Sequence, residues 1–304
     1  MKHPHSLYTL LCGALLAAAS CSHDTDTAAI VPDGRTALQV TSGIHTRAHD
    51  KTWEADDAIG IYMLSGATVE TDNNKYITAA GGENGTFTPA ATPADQTIYF
   101  PIDGSTRDFV AYYPYATIGT NNLYAVNVVD QTSQKAIDLM AADKVTGKSK
   151  TEPNVPFVFT HKLTKLEITL KGDGTSTKEA DLAGTVVKIT HQQTAGTYNV
   201  LTGGEVSVTT AAAAEVTLPT EGMKAEGIVL PNDDTKEMKL TFTVPLLKNQ
   251  TFEWLIKSAT ASQKFEAGKK YKYTITISKM GVSVTATVTD WTPGNGSGEP
   301  GEAN

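Results

Sequence analysis

The sequence contains little cysteine and little charge. Of 304 residues only two are cysteines, Cys12 and Cys21, and only 19% are charged. Because Cys12 lies in an N-terminal segment that we expect to be removed, the mature chain would keep one thiol, which excludes an internal disulfide and a cysteine-based metal site. The formal net charge is −8 without a basic stripe or an arginine cluster. This balance disfavours nucleic acid and an anionic membrane surface as partners.

The N-terminal apolar run is short. It covers about thirteen residues, 7–19, whereas a transmembrane helix needs roughly 20. Lys2 precedes the run, and small residues lead from it to Cys21 in "LLAAASC". This pattern resembles a lipoprotein signal peptide, so we expect residues 1–20 to be removed and Cys21 to be acylated, with the lipid as the chain's only membrane contact. The alternative is an ordinary secretory cleavage nearby, which would leave Cys21 as a free thiol.

Alternation of apolar and polar residues predicts half-buried strands throughout the remaining chain of about 280 residues. The clearest segments are "KLEITLK" (165–171), "EMKLTFTV" (237–244), "YKYTITIS" (271–278) and "VSVTATV" (282–288). Only residues 134–144 hint at a helical turn. We therefore predict an all-β fold, for which two β-sandwich domains are the simplest arrangement at this length.

A domain boundary is predicted near residues 147–157, where charge, Pro153 and Pro156 interrupt the strand rhythm. Trp291 follows the last predicted strand and is expected to close the second core. The predicted division is a signal peptide (1–20), a tether with a candidate first strand (21–47), an N-terminal domain (48–157), a C-terminal domain (158–292) and a disordered Gly- and Pro-rich tail (293–304).

Six segments, in order along nearly the whole mature chain, together resemble the fimbrillin-like family of exported type V pilin subunits. They are "TWEADDAIGIYM" (52–63), "GTFTPA" (85–90), "QTIYFPIDGSTRDFVAYYPY" (96–115), "QKAIDLMAADKVTGKSK" (134–150), "FTHKLTKLEI" (159–168) and "VTDWTPG" (288–294). The resemblance implies two tandem transthyretin-like β-sandwich domains, made as an outer-membrane lipoprotein precursor. It further implies that an arginine-specific protease removes the N-terminal strand, and that a strand from another pilin subunit fills the groove in a cell-surface fimbria.

The chain contains candidates for the processing site that this resemblance implies. Arginine occurs only at positions 35, 47 and 107. Residues 36–47, "TALQVTSGIHTR", alternate at Leu38 and Val40 and are a plausible first strand. Cleavage after Arg47 would remove this strand whole, whereas cleavage after the alternative site, Arg35, would leave it in place.

A donor strand must offer modest apolar side chains at period two. The segment 282–288 does so through four residues, Val282, Val284, Ala286 and Val288. The same segment is equally well interpreted as an edge strand of its own domain.

Catalytic motifs are absent from the sequence. It contains no Gly-rich phosphate loop, no Gly-x-Ser-x-Gly elbow and no zincin helix, so we expect no enzymatic activity, cofactor or metal. His45 and His49 lie four apart without a third ligand nearby. The acid pairs 56–57 and 233–234 are interpreted as turn residues, and the tyrosines of "FVAYYPY" (109–115) as core residues. The alternative function is a tip adhesin, or a permanently anchored surface lipoprotein that binds a glycan or a host or bacterial protein.

Overall fold

The structure is a computed structural model that describes residues 34–44, 52–92, 95–119, 121–209, 213–256 and 264–291. Of these described residues 56% lie in strands and 5% in helices, which confirms the all-β prediction. The predicted signal peptide (1–20), the lipidation site Cys21 and the predicted tail (293–304) lie outside the described residues.

The first half of the described chain is organised around one large sheet. Its strands are β1 (Gln39–Ile44), β2 (Ala58–Ser65), β3 (Thr68–Thr78), β4 (Asn84–Pro89), β5 (Arg107–Tyr113), β6 (Leu123–Asn127), β7 (Met140–Ala142), β8 (Val145–Lys148) and β9 (Asn154–His161). All except β6 form a sheet in the order β2-β3-β4-β1-β9-β7-β5-β8, and β2 also pairs with β5. This additional pairing closes seven strands into a ring. The single turn of helix α1 (Gln134–Ile137) lies where the sequence hinted at one.

The second half of the described chain forms two further sheets that share one core. Its strands are β10 (Thr164–Gly172), β11 (Val186–Gln192), β12 (Ala195–Asn199), β13 (Ser207–Val208), β14 (Ala214–Leu218), β15 (Thr220–Glu221), β16 (Lys224–Val229), β17 (Lys239–Val244), β18 (Gln250–Leu255), β19 (Lys269–Ser278) and β20 (Gly281–Asp290), with 3-10 turns at Glu179–Leu182 and Pro245–Leu247. The five-stranded sheet has the order β15-β16-β10-β19-β20, and the four-stranded sheet has the order β14-β11-β17-β18.

The predicted alternation places apolar side chains in this shared core. Leu166, Ile168 and Leu170 of β10 are buried together with the apolar residues of β17 and β19. Successive side chains of a strand point to opposite faces of the sheet. One face of each of these strands therefore packs against the opposite sheet, and the segments at 165–171, 237–244 and 271–278 are confirmed as half-buried strands.

A third buried cluster joins the two halves of the chain. Strand β6 of the first half pairs with β12 of the second half, in a small sheet of the order β13-β12-β6. Tyr124 of β6 and Tyr198 of β12 are partners in this register and pack in the cluster with Ile228 and Trp291. Trp291 thus lies in the joint between the halves rather than in the second core, where we expected it.

The predicted boundary falls within a continuous strand. Strand β9 runs through residues 157 and 158, and it pairs with β1 and β7 of the first sheet. The next strand, β10, belongs to the five-stranded sheet. The change from one sheet to the other therefore occurs at residues 162–163.

Gly85 of β4 occupies a position with no room for a side chain. A Cβ atom there would lie 2.7 Å from Cε2 of Phe87 and 2.8 Å from Cδ1 of Trp53. We predict that Gly85→Ala lowers the free energy of unfolding by about 1–3 kcal/mol, because overpacking strains the core. Urea denaturation measures the change.

The matched control for this substitution is Gly43→Ala in the neighbouring strand β1. Its Cβ atom would meet only Oδ1 of Asn84, at 3.4 Å. We expect a change within about 0.5 kcal/mol. Equal effects at Gly85 and Gly43 would contradict the steric explanation.

The tyrosines of the joint predict a loss of stability at alkaline pH. Burial raises the pKa of Tyr124 and of Tyr198 to about 12, against about 10 in an unfolded chain. Because the folded state favours the protonated phenols, their contribution is complete below pH 10 and falls as the pH rises from about 10 to 12. We predict that Tyr124→Phe makes the decline of unfolding free energy shallower, by up to about 1.4 kcal/mol per pH unit. Urea titrations between pH 8 and pH 11 measure the slope, and a slope equal to that of the wild type would contradict the assignment.

Candidate functional site: the β1 slot and its surroundings

Strand β1 lies between two strands that are distant in sequence. It is antiparallel to β4, where Val40 is the partner of Phe87, and parallel to β9, where Val40 is the partner of Val155. The backbone is also bonded just before the strand, since the N–H of Leu38 donates to the carbonyl of Ile98 at 2.9 Å. We call the space that this strand occupies between β4 and β9 the β1 slot.

One face of β1 points into the core. Leu38, Val40 and Ser42 have exposed fractions of 5%, 1% and 3%, respectively. Between them, Thr41 faces outward, and its hydroxyl donates to Oδ1 of Asn154 at 3.1 Å. The predicted first strand is therefore present, with Leu38 and Val40 buried as its alternation requires.

Trp53 packs against residues of both strands that border the β1 slot. Its backbone exchanges hydrogen bonds with Gly82 at 2.9 Å in both directions. The indole packs edge to face against Phe87, Tyr113 and Phe159, with ring centroids 5.0–5.4 Å apart. Its Nε1 is buried and has no hydrogen-bond partner among the described residues. Trp53 is thus part of the buried cluster of the first half of the chain.

The candidate processing sites differ in their surroundings. Arg47, together with His45 and His49, lies outside the described residues. The alternative site, Arg35, is described: its guanidinium lies 3.9 Å from the centroid of the Tyr99 ring. The residue after it, Thr36, is buried, and the carbonyl of Thr36 accepts a hydrogen bond from the N–H of Phe100 at 2.9 Å.

A polar pocket of about 150 Å³ opens beside Trp53. Asp57 is its central residue. Its carboxylate accepts hydrogen bonds from the Tyr113 hydroxyl at 3.0 Å and from the N–H of Glu54 at 2.7 Å, and it forms an ion pair with Lys135 at 3.0 Å. Burial and the nearby Asp57 carboxylate raise the pKa of Tyr113, so this phenol remains a donor. The sequence interpretation of the acid pair as turn residues holds for Asp56, which is exposed, but it missed the buried role of its neighbour.

His161, the last residue of β9, links the pocket to the joint. Its Nδ1 lies 2.8 Å from Oδ1 of Asp138, which lines the pocket. Its ring stacks on Trp291, with centroids 3.7 Å apart and planes 6° apart. The N–H of Trp291 donates to the carbonyl of Gly268 at 2.7 Å. The residue after β20 therefore packs against the end of β9, the strand that borders the β1 slot.

The candidate donor strand, β20, is paired within its own chain. It is antiparallel to β19 along its whole length, from Ser278 opposite Gly281 to Lys269 opposite Asp290. It forms one edge of the five-stranded sheet, and no described strand pairs with its other side. Three candidate residues, Val282, Val284 and Ala286, pack partly buried against the second core, whereas Val288 is 47% exposed.

Within the described residues, no group of three or more His, Cys, Asp or Glu side chains could hold a metal ion. None of the helices in the same ranges is long and apolar enough to cross a membrane.

Comparison with known proteins identifies the class. A model of the fimbrillin-like family matches residues 46–291, which is most of the chain. The all-β architecture and this match define a fimbrial subunit, a component of a cell-surface appendage. The chain belongs to the fimbrillin-like family.

Individual relatives support this assignment. A protein of Bacteroides uniformis assigned as a fimbrium subunit, Fim1C, is 60% identical over 307 residues, with 100% of both chains covered. The crystal structure of a Bacteroides uniformis protein assigned to cell adhesion is 59% identical, with a TM-score of 0.80 over 86% of this chain and 100% of that one. A structure from Bacteroides ovatus, at 24% identity and a TM-score of 0.69 over 86% of this chain and 99% of that one, shares the fold.

The buried carboxylate of the pocket yields a stability prediction. Asp57→Ala leaves the Tyr113 hydroxyl and the Glu54 N–H without their acceptor. We predict a loss of about 2–3 kcal/mol in the free energy of unfolding, because a buried phenol and a part-buried N–H that lose their acceptor cost desolvation energy. Denaturation in urea at neutral pH measures it.

Asp56→Asn is the neighbouring control. Asp56 is exposed and has a φ of 69°, a conformation that asparagine tolerates well. We expect a change within about 0.5 kcal/mol. If both substitutions are neutral, the hydrogen bonds of Asp57 contribute nothing to stability.

Proposed function

We propose that this protein is a structural subunit of a surface fimbria that polymerises by strand exchange through the β1 slot. An arginine-specific protease cuts after Arg47, and β1 then leaves with the N-terminal segment. A strand of another subunit, a second copy or a related one, takes its place between β4 and β9. The observation that carries this proposal is the interior position of β1, which is hydrogen-bonded on both edges although it lies at the N-terminal end of the described chain.

The consequence of removing β1 supports the proposal. Without it, backbone groups of β4 and β9 would lose their partners, and the core faces of Phe87 and Phe157 would lose cover. Unpaired edges and exposed apolar surface recruit another strand. A subunit that has lost β1 is therefore expected to bind a replacement strand.

The extent of the family match supports the same division of the chain. The match begins at residue 46, just after β1 ends at Ile44. A cut after Arg47 would separate β1 from nearly all of the matched region. A cut after Arg35 would leave β1 in the slot, and the packed surroundings of Arg35 and Thr36 disfavour it, since proteases cut exposed and flexible backbone.

The remaining parts of the proposal concern the domains, the donor and the precursor. We propose two tandem transthyretin-like domains, with the boundary at residues 162–163, between β9 and β10, in place of the one predicted from the sequence. The four alternating residues of β20 are the candidate donor strand, which requires β20 to leave β19. The precursor is exported by its signal peptide and held at the outer membrane by acylated Cys21 until the cut releases it into the fimbria.

The cleavage step can be tested with two conservative substitutions. We predict that Arg47→Lys abolishes release of the N-terminal segment by an arginine-specific protease, because the enzyme requires the guanidinium. Arg35→Lys should be cut like the wild type. The substrate is the precursor without its signal peptide, carrying Cys21→Ser, and intact mass spectrometry identifies the products.

The native protein provides the decisive control. Protein taken from the cell surface should begin at Ala48 and carry no lipid. A chain that still begins at acylated Cys21 would overturn the processing step, and would identify a permanently anchored surface protein instead.

A further inference from the structure

The core-facing side of β1 contains one residue that does not match its surroundings. Leu38 and Val40 are apolar, but the next core-facing position is Ser42, which is 3% exposed. Its Oγ is buried and has no hydrogen-bond partner among the described residues. A buried hydroxyl without a partner destabilises the state that contains it.

The strands beside Ser42 leave an apolar space around it. Its partner on β4 is Gly85, and its partner on β9 is Phe157, which is fully buried. Neighbouring strands lie about 4.8 Å apart, and directly opposed residues of an antiparallel pair such as Ser42 and Gly85 have Cβ positions about 4.5–5.5 Å apart. The neighbours in register therefore offer the hydroxyl of Ser42 a glycine and an aromatic ring, neither of which has a polar side-chain atom.

Trp53 completes this environment. A Cβ atom on Gly85 would lie 2.8 Å from Cδ1 and 3.2 Å from Cγ of Trp53, so the five-membered ring of the indole covers Gly85. Nε1 is the ring atom next to Cδ1, and it too is buried without a partner among the described residues. The region around Ser42 thus contains an unsatisfied hydroxyl and an unsatisfied indole N–H.

We propose that the Ser42 position is the discriminating subsite of the β1 slot, at which β1 fits poorly and a strand with a small apolar side chain fits better. This inference rests on the strand exchange proposed above. It names the partner chemistry: a strand with apolar residues at three successive core-facing positions. The serine is then the feature that makes β1 replaceable.

The chain itself contains a strand with this chemistry. In β20 the residues Val284, Ala286 and Val288 alternate with threonines. Aligned in the direction of β1 with Leu38, Val40 and Ser42, they place Val288 at the subsite. If Val282, Val284 and Ala286 are aligned with the same three residues instead, Ala286 lies at the subsite. Either alignment removes the unpaired hydroxyl.

The test measures how long the cut N-terminal segment stays bound. The precursor, with Cys21→Ser and without its signal peptide, is cut after Arg47, and native mass spectrometry follows dissociation of the segment from the chain that begins at Ala48. We expect Ser42→Val to slow this release by about fivefold or more, since removal of an unsatisfied buried polar group strengthens binding. Thr41→Val is the matched control. It places the same side chain on the outward face of β1. We expect it not to slow release, because it removes the hydrogen bond from Thr41 to Asn154 and adds no contact in the core.

Ser42→Ala guards against a valine that is too large for the site. Slower release with either Ser42 variant supports the subsite. Release as fast as that of the wild type with both variants overturns it, because the hydroxyl would then carry no penalty.

Failure of the inference is distinguishable from failure of the proposed function. Urea denaturation of the uncut variants needs no cleavage, and Ser42→Val or Ser42→Ala should unfold at higher urea than Thr41→Val. If this holds but the native protein is never cut, the poor fit of β1 at Ser42 stands and the exchange mechanism falls. If cutting and exchange occur but neither Ser42 variant differs from the wild type, the exchange mechanism stands and the subsite falls.

Discussion

The pairing of β1 on both edges is the constraint on which the first half of the molecule depends. The ring of seven strands closes only because β1 joins β4 to β9, since no other described strand lies between them. The strand contributes few side chains to the core, but it satisfies two rows of backbone groups. In a buried position each unpaired group would cost free energy comparable to a lost hydrogen bond. The shortest route to an opened subunit is therefore the loss of this one strand.

The same constraint extends into the second half through β9. This strand borders the slot along one edge and ends at His161, whose ring is held between Asp138 and Trp291. Trp291 in turn ends the hairpin of β19 and β20, which contains the candidate donor strand. The strand that borders the β1 slot and the candidate donor strand thus end at the same buried joint between the two halves.

Local periodicity predicted the strands well but not their partners. The core-facing residues of β10, β17 and β19 alternate cleanly because each strand buries one face, and this signal is present in any short window of sequence. Pairing is non-local: Thr41 of β1 bonds to Asn154, 113 positions later. No pattern within either segment specifies the other.

The predicted domain boundary was also based on a local pattern, the two prolines near residues 147–157. Pro153 and Pro156 suggested an interruption, yet both are accommodated beside or within β9. The N–H of Gln39 donates to the carbonyl of Pro153, which indicates that odd-numbered residues of β9 bond to β1 and that Pro156 faces away from it. Pairing with β7 begins only at Phe159. The missing N–H of the proline therefore removes no bond from the ladder. The buried carboxylate of Asp57 was missed for a related reason, because its partners Tyr113 and Lys135 are far away in sequence.

An imperfect β1 is compatible with a stable precursor because of how it is attached. While the chain is intact, β1 is tethered to its slot, and its effective concentration is on the order of millimolar. The unpaired hydroxyl of Ser42 is then tolerated, because a β1 strand that leaves the slot stays attached to the chain and rebinds. On the proposed route, cleavage at Arg47 removes the tether without altering any contact in the slot. The cut segment would then be bound only by its non-covalent contacts. The unpaired hydroxyl of Ser42, which was tolerated before the cut, would shorten the time that the segment stays bound. On this proposed route, the covalent bond would keep the slot filled before the cut, and the buried hydroxyl would favour its refilling afterwards.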